Sequence, residues 1–194
     1  MQQHRRRSVL IGLGSFAALG AAQARAWGTA FRLVPAASDV GFAFHVAGIR
    51  QQGHMPVLSA AITLDRANLQ ASSVDVSVDA RRATTPVPFI AKALRGPVGL
   101  DADQHPTIRF VSTRIVPGAS GRLEDGGRID GSLTLRGQTR PISFKASLAG
   151  PAAGDQLAIR LTGNVSRSAF GSTKYPEVVS DLIHLDILAT IDAA

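Results

Sequence analysis

Val74-Asp75-Val76-Ser77-Val78-Asp79 alternates one valine with one polar residue over six positions. Successive side chains of an extended chain point to opposite faces, so this run reads as a strand with one buried and one solvated face. The same period continues on both sides. Val40, Phe42, Phe44 and Val46 alternate with Gly41, Ala43 and His45, and Leu58, Ala60, Ile62 and Leu64 with Ser59, Ala61 and Thr63. Ile108 and Phe110 follow, then Ile129, Leu133 and Leu135, then Ile142, Phe144 and Leu148. Leu157, Ile159, Leu161 and Val165 come next. The last run sets Ile183, Leu185, Ile187 and Ile191 against His184, Asp186 and Thr190.

The breaks are turn-like, with Gly118 to Gly121, Glu124 to Gly127, Gly137 to Pro141 and Gly150 to Asp155. One stretch departs from the period of two. Between Pro86 and Leu100, Phe89-Ile90-Ala91-Lys92-Ala93-Leu94 reads as a short helix ended by Gly96-Pro97. The expectation is an all-β domain of eight or nine antiparallel strands with one flanking helix. Strands with one apolar face must bury it in a two-sheet sandwich or in a sheet closed on itself. Closure also removes edge strands. An eight-stranded barrel is wide enough to be plugged by side chains or to hold one slender ligand.

The chain of 194 residues carries 21 Lys and Arg against 14 Asp and Glu, a formal charge of +7. That excess invites a nucleic-acid reading, but its placement argues otherwise. Residues 1–26 hold Arg5, Arg6, Arg7 and Arg25 and no acid; without them 17 bases face 14 acids. The remaining arginines are dispersed and no aromatic residues interleave with them, so no nucleic-acid partner is expected. The same first 26 residues read as an export signal. A basic tip precedes the apolar run Val9–Ala22, which is 14 residues long and short for a bilayer span, and Ala24-Arg25-Ala26 offers a small-x-small cleavage site. Arg6-Arg7-Ser8-Val9-Leu10 resembles a twin-arginine core, with an ordinary secretory signal as the other reading. The expected mature domain is 27–194, periplasmic, with the signal cleaved near Ala26.

Several chemistries lack their residues. With no cysteine there is no disulfide, zinc ribbon or thiol nucleophile. Gly12-Leu13-Gly14-Ser15-Phe16-Ala17 matches a dinucleotide fingerprint, but no strand precedes it and it lies inside the apolar run of the signal. His45, His54, His105 and His184 are spread without ligand spacing, so no metal site is expected. Asp75 and Asp79 share a strand face and read as a solvated surface rather than a catalytic pair.

Four segments, in order, resemble the YceI-like family of bacterial periplasmic polyisoprenoid-binding, lipocalin-like proteins. They are Ser38-Asp39-Val40-Gly41-Phe42-Ala43-Phe44-His45; His105-Pro106-Thr107-Ile108-Arg109-Phe110; Gly131 to Ile142 (GSLTLRGQTRPI); and Arg167-Ser168-Ala169-Phe170-Gly171 with Val179-Ser180-Asp181. The chain departs from the family pattern at Ala37, at Gly53-His54-Met55, at Val98-Gly99-Leu100-Asp101 and at Ala169. The resemblance implies an extended antiparallel eight-stranded lipocalin-like barrel with one short flanking helix. Its tunnel would hold a long isoprenoid-like chain, a quinone tail or a polyprenol, with no other cofactor and no enzymatic activity. The apolar faces nominate Phe42, Phe44, Val46, Ile62, Leu64, Val76, Phe89, Ile108, Phe110, Leu133, Phe144 and Ile159 as its lining. His45, Arg167 and Asp181 are expected as mouth or structural polar residues, His45 otherwise being a surface imidazole of its strand, and Arg167 and Asp181 either holding a head group or tying the last two strands by a charge-assisted bond. Gly131, Gly137 and Gly171 are expected at turns or bulges. The other reading is a filled barrel acting as a non-catalytic interaction module, partnering a membrane b-type cytochrome or an envelope-stress component. Pairing of two copies stays open.

Overall fold

A computed structural model describes residues 28–150 and 156–194. The expected signal at 1–26 and most of the Gly150–Asp155 turn lie outside the described residues. Ten strand segments form the fold: β1 (Thr29–Leu33), β2 (Asp39–Val46), β3 (Ile49–Met55), β4 (Val57–Leu64), β5 (Ser73–Asp79), β6 (Thr107–Pro117), β7 (Gly127–Leu135), β8 (Gln138–Leu148), β9 (Leu157–Ser166) and β10 (Leu182–Ala193). A single α-helix among the described residues, α1 (Pro88–Arg95), follows β5, and Gly96 caps its end.

Every pairing is antiparallel, and the ten segments occupy eight positions around a closed barrel. β10 is bordered on one side by β9 and on the other by both β1 and β2, at different heights. β1 pairs with β4 and β2 with β3, so β1–β2 is one broken strand and β3–β4 another. From there the ring runs β4, β5, β6, β7, β8, β9, β10. Proline explains both breaks, since it supplies no backbone donor to the ladder. Pro35 starts a 3-10 turn over Pro35–Ala37, and Pro56 separates β3 from β4. Ser38 and Thr190 stitch the first break to β10. Ser38 Oγ donates to Val34 O at 2.8 Å and accepts from Thr190 N at 3.0 Å, while Thr190 Oγ1 donates to Ala37 O at 2.6 Å. Thr190, grouped with the solvated face by alternation, is buried beneath that turn.

The expected alternation holds along the strands with two slips, one of them in β6, where the register to β7 shifts between Ser112 and Arg114. The register between β4 and β5 shifts between Val57 and Ser59, so Leu58 is an extra residue. Val57 pairs with Val78 and Ala60 with Val76, whereas Leu58 is 50% exposed and does not share the inner face with Ala60. The inner side of the barrel forms two clusters. One, around Phe31, Leu64, Leu69, Leu157 and Ile191, plugs the end where the chain enters β1 and leaves β10. The other holds Val78, Ile108, Leu133, Phe144 and Val165 toward the opposite end. Gly131 sits in β7 because a Cβ there would lie 2.4 Å from the Phe110 ring. That space lets Phe110 meet Phe144 edge-to-face, with centroids 5.2 Å apart. Gly131 also lies opposite the irregularity in β6, and Gly137 and Gly171 occupy turns with φ of +70° and +81°.

Outside the barrel, charges pair across strands. Arg109 Nε donates to Asp75 at 2.9 Å, and Arg160 is paired with Asp186. Asp75 is therefore a surface ion-pair partner. Asp79 is not on a solvated face: it is buried, accepts from Arg81 N at 3.0 Å, and anchors the 3-10 turn Ala80–Arg82.

Candidate functional site: an apolar cavity in the barrel

The barrel encloses a cavity of about 610 Å3. Eleven of the twelve nominated apolar residues line it. Phe42, Phe44 and Val46 come from β2, Ile62 from β4 and Val76 from β5. Ile108 and Phe110 come from β6, Leu133 from β7, Phe144 from β8, Ile159 from β9, and Phe89 from α1. Leu64 is the correction: it packs with Phe31, Leu69 and Leu157 in the plug and does not reach the cavity. Alternation assigns Leu64 the right face but carries no information on depth along the barrel axis.

Residues not nominated complete the wall. Ile183, Leu185 and Ile187 of β10 were visible as an alternating face. Ile90, Ala93 and Leu94 extend the contribution of α1, whose apolar face overlies the cavity. Tyr175, Val178 and Val179 belong to the irregular segment 171–181, where no period could signal them. Ser180 N and His45 O bond at 3.0 Å, and Ala47 N donates to Val178 O at 2.7 Å, so this segment rides on the end of β2.

The mouth is framed by three structures. One is the β2–β3 turn, in which Ala47 and Gly48 both have positive φ, as a two-residue hairpin requires. The second is segment 171–181. The third is α1, which is tied at both ends. Thr84 and His54 exchange backbone bonds at 2.9 and 3.0 Å ahead of the helix. Beyond it, Arg136 Nη1 donates to Pro97 O at 3.0 Å and Gly99 O at 2.6 Å, and Ser172 Oγ donates to Val98 O at 2.7 Å. Arg136 holds a φ of +52° in the β7–β8 turn, and that turn aims its guanidinium at these carbonyls.

The charged groups of the wall are mostly spoken for. Arg167 is only 8% exposed, and its guanidinium donates to the carbonyls of Ser180, Ser172, Lys174 and Val179 at 3.1, 2.6, 2.9 and 2.9 Å. It clamps segment 172–180 against the barrel and makes no ion pair with Asp181. The Asp181 carboxylate instead accepts from Ser168 N at 2.9 Å, and hydrogen bonds from Ser166 and Ser168 hold its pKa below the ordinary range despite some desolvation. Neither Asp181 nor the His45 side chain lines the cavity. Among the described residues the wall has no histidine, aspartate or glutamate, and no three His, Cys, Asp or Glu are grouped to hold a metal. A more polar side pocket of about 560 Å3, bordered by Asp39, His54 and Arg82, shares Ser38, Val40, Met55 and Val57 with the main cavity. There His54 Nδ1 lies 2.8 Å from Asp39 Oδ1.

Comparison with known proteins places this architecture. A UPF0312 protein of Vibrio cholerae is 35% identical over 99 residues, covering 51% of this chain and 50% of that protein. The chain thus spans about half the length of the curated relatives it matches. BcnA of Burkholderia cenocepacia superposes with a TM-score of 0.73 at 20% identity, covering 82% of this chain and 99% of that one. A polyisoprenoid binding domain from Saccharophagus degradans, implicated in plant cell wall breakdown, superposes at 0.63 and 10% identity, covering 86% and 99%. These likenesses establish the lipocalin-like barrel. The YceI-like domain model matches residues 31–191, from within β1 to within β10, and the chain belongs to the YceI-like family.

Proposed function

We propose that the protein is a periplasmic binding or carrier protein for a long apolar chain of isoprenoid type, held in the barrel with its head group toward the mouth. The observation that carries this reading is the wall: an almost wholly apolar cavity of about 610 Å3, within the range of a ligand site, whose buried guanidinium is saturated by carbonyls. Such a wall has little to offer a polar guest. An apolar guest gains about 0.8 kcal/mol for each methylene moved out of water. Several isoprene units therefore suffice for tight binding after ordering costs are subtracted. The polyisoprenoid-binding neighbour and the family membership favour the same class of guest. Acid–base or nucleophilic catalysis would need a general base or nucleophile converging on the cavity; the described wall holds Lys174 and Tyr175 but no histidine, aspartate or glutamate beside them, which favours binding over enzymatic turnover. The open interior supports this reading over that of a filled interaction module. Periplasmic placement rests on the export-signal reading of residues 1–26.

The test is uptake of a polyprenol and of an isoprenoid quinone, measured by native mass spectrometry on the protein and on Val76→Trp. The indole of the variant would project into the cavity from β5. Binding of at least one of the two by the protein, weakened more than tenfold in a folded Val76→Trp, is expected. Equal uptake by both proteins would place any guest outside the lumen.

A further inference from the structure

Eight large hydrophobic side chains are exposed among the described residues, and five of them gather at the mouth. Phe89, Tyr175 and Val178 are 78%, 58% and 41% exposed yet also line the cavity, so they stand at its opening. Ile49, 67% exposed, faces Val46 across the β2–β3 turn beside Val178, and Val87 is the residue from which α1 starts. Charge is also uneven between the ends. The described loops at the mouth, 80–106, 136–137 and 167–181, hold seven Lys and Arg against four Asp and Glu, or six against four once the buried, carbonyl-bound Arg167 is set aside. Those at the plugged end, 65–72 and 118–126, hold two against three. Ala80–Leu100, which contributes Val87 and Phe89, has Arg82, Lys92 and Arg95, together with Arg81, which is paired with Asp79, and no acid within it.

An exposed apolar rim inside a cationic border is unusual for a surface that meets only water. It matches the two requirements of interfacial binding, apolar side chains to enter the headgroup layer and cations to face anionic lipids. We infer that the open end is a membrane-docking face that seats on an anionic bilayer. Ile49, Val87 and Phe89 enter the lipid layer, and Lys92 and its neighbours lie among the head groups. The inference deepens the lipid-binding reading and rests on it for what passes through the mouth. A guest exchanged at a seated mouth never crosses water, so the cost of exposing its chain is avoided.

The experiment is co-sedimentation with phosphatidylcholine vesicles, with and without phosphatidylglycerol, using protein whose mass shows the first 26 residues removed. Sedimentation with the anionic vesicles, weakened by salt, is expected. Lys92→Glu and the double variant Ile49→Ser/Val87→Ser, none of them cavity-lining, should each weaken it about tenfold and leave prenol or quinone uptake from detergent unchanged. Failure to sediment with either vesicle, or sedimentation that neither variant weakens, overturns the docking face. Such a result with uptake intact would redirect the rim to a protein partner and leave lipid binding standing. Vesicle binding without uptake of any prenol or quinone would instead overturn the proposed guest.

Discussion

The two ends of the barrel are built from the same kinds of side chain and differ in whether those side chains meet. At the plugged end, Leu157 and Ile191 are essentially inaccessible, and Leu69 caps them from a 3-10 turn over Leu69–Ala71. Asp65 holds that loop by accepting from Ala67 N and Asn68 N at 2.9 Å. At the open end Val46, Val179, Ile183 and Leu185 line the cavity, with Val46 and Val179 joined edge to edge by a β-bridge. The difference arises from what closes each end. A short loop with one leucine can fold into the bore, whereas α1 and segment 171–181 are lashed to the rim by Arg136, Ser172 and Arg167 and cannot drop in. An apolar residue stabilises the fold where it is packed, and is available to a guest where it is not.

This contrast can be tested by truncating one residue at each end. Leu157→Ala should cost about 4 kcal/mol in urea unfolding, because a packed leucine loses both its transfer energy and its contacts. Ile183→Ala should cost only about 1 kcal/mol in lipid-free protein, since its side chain already faces open volume. Loading the barrel with prenol should raise the second cost and leave the first unchanged. Equal costs in the lipid-free protein would mean that the open end is packed after all.

Next in size is the clamp. Arg167→Met should destabilise the protein by about 3 kcal/mol, because several carbonyls lose charge-assisted donors in a buried setting. Hydrogen exchange should show the loss concentrated in the amides of Val178, Val179 and Ser180. Uniform loss across the barrel would contradict a clamp confined to the mouth.

The smallest effect is electrostatic. The folded-state pKa of Asp181 is depressed, chiefly by the Ser166 hydroxyl, so its contribution to stability is present above the ordinary carboxylate pKa. It disappears as pH falls through the folded value. Asp75 and Asp186, depressed chiefly by their bonds to Arg109 and Arg160, act in the same direction. Between about pH 5 and pH 3, Asp181→Asn should therefore lose less stability than the unsubstituted protein. Identical acid limbs would remove Asp181 from the anchoring of the turn Ser168–Phe170.

The sequence was most legible where one physical rule governs a whole element. Alternation identified the inner face of β5, β8, β9 and β10, because a strand half in water must repeat every second residue. It failed where a local event breaks the repeat. The bulge that turns Leu58 outward adds a residue that periodicity cannot register. Pro35 and Pro56 split two strands while preserving their neighbours, so ten segments make a ring of eight. Leu64 and Ile62 are alike in the pattern and differ only in depth, one in the plug and one in the cavity wall. The partners of Arg167 are main-chain carbonyls of an irregular segment, and side-chain identities say nothing about where such carbonyls point.

The most direct measurement is organic extraction of the purified protein followed by mass spectrometry, repeated on Val76→Trp. A barrel whose open half exists to hold an apolar chain should yield an isoprenoid lipid in near-stoichiometric amount, or take up added prenol or quinone to that level, and the plugged variant should not. Protein that carries no such lipid and takes up neither would contradict a binding role for the cavity.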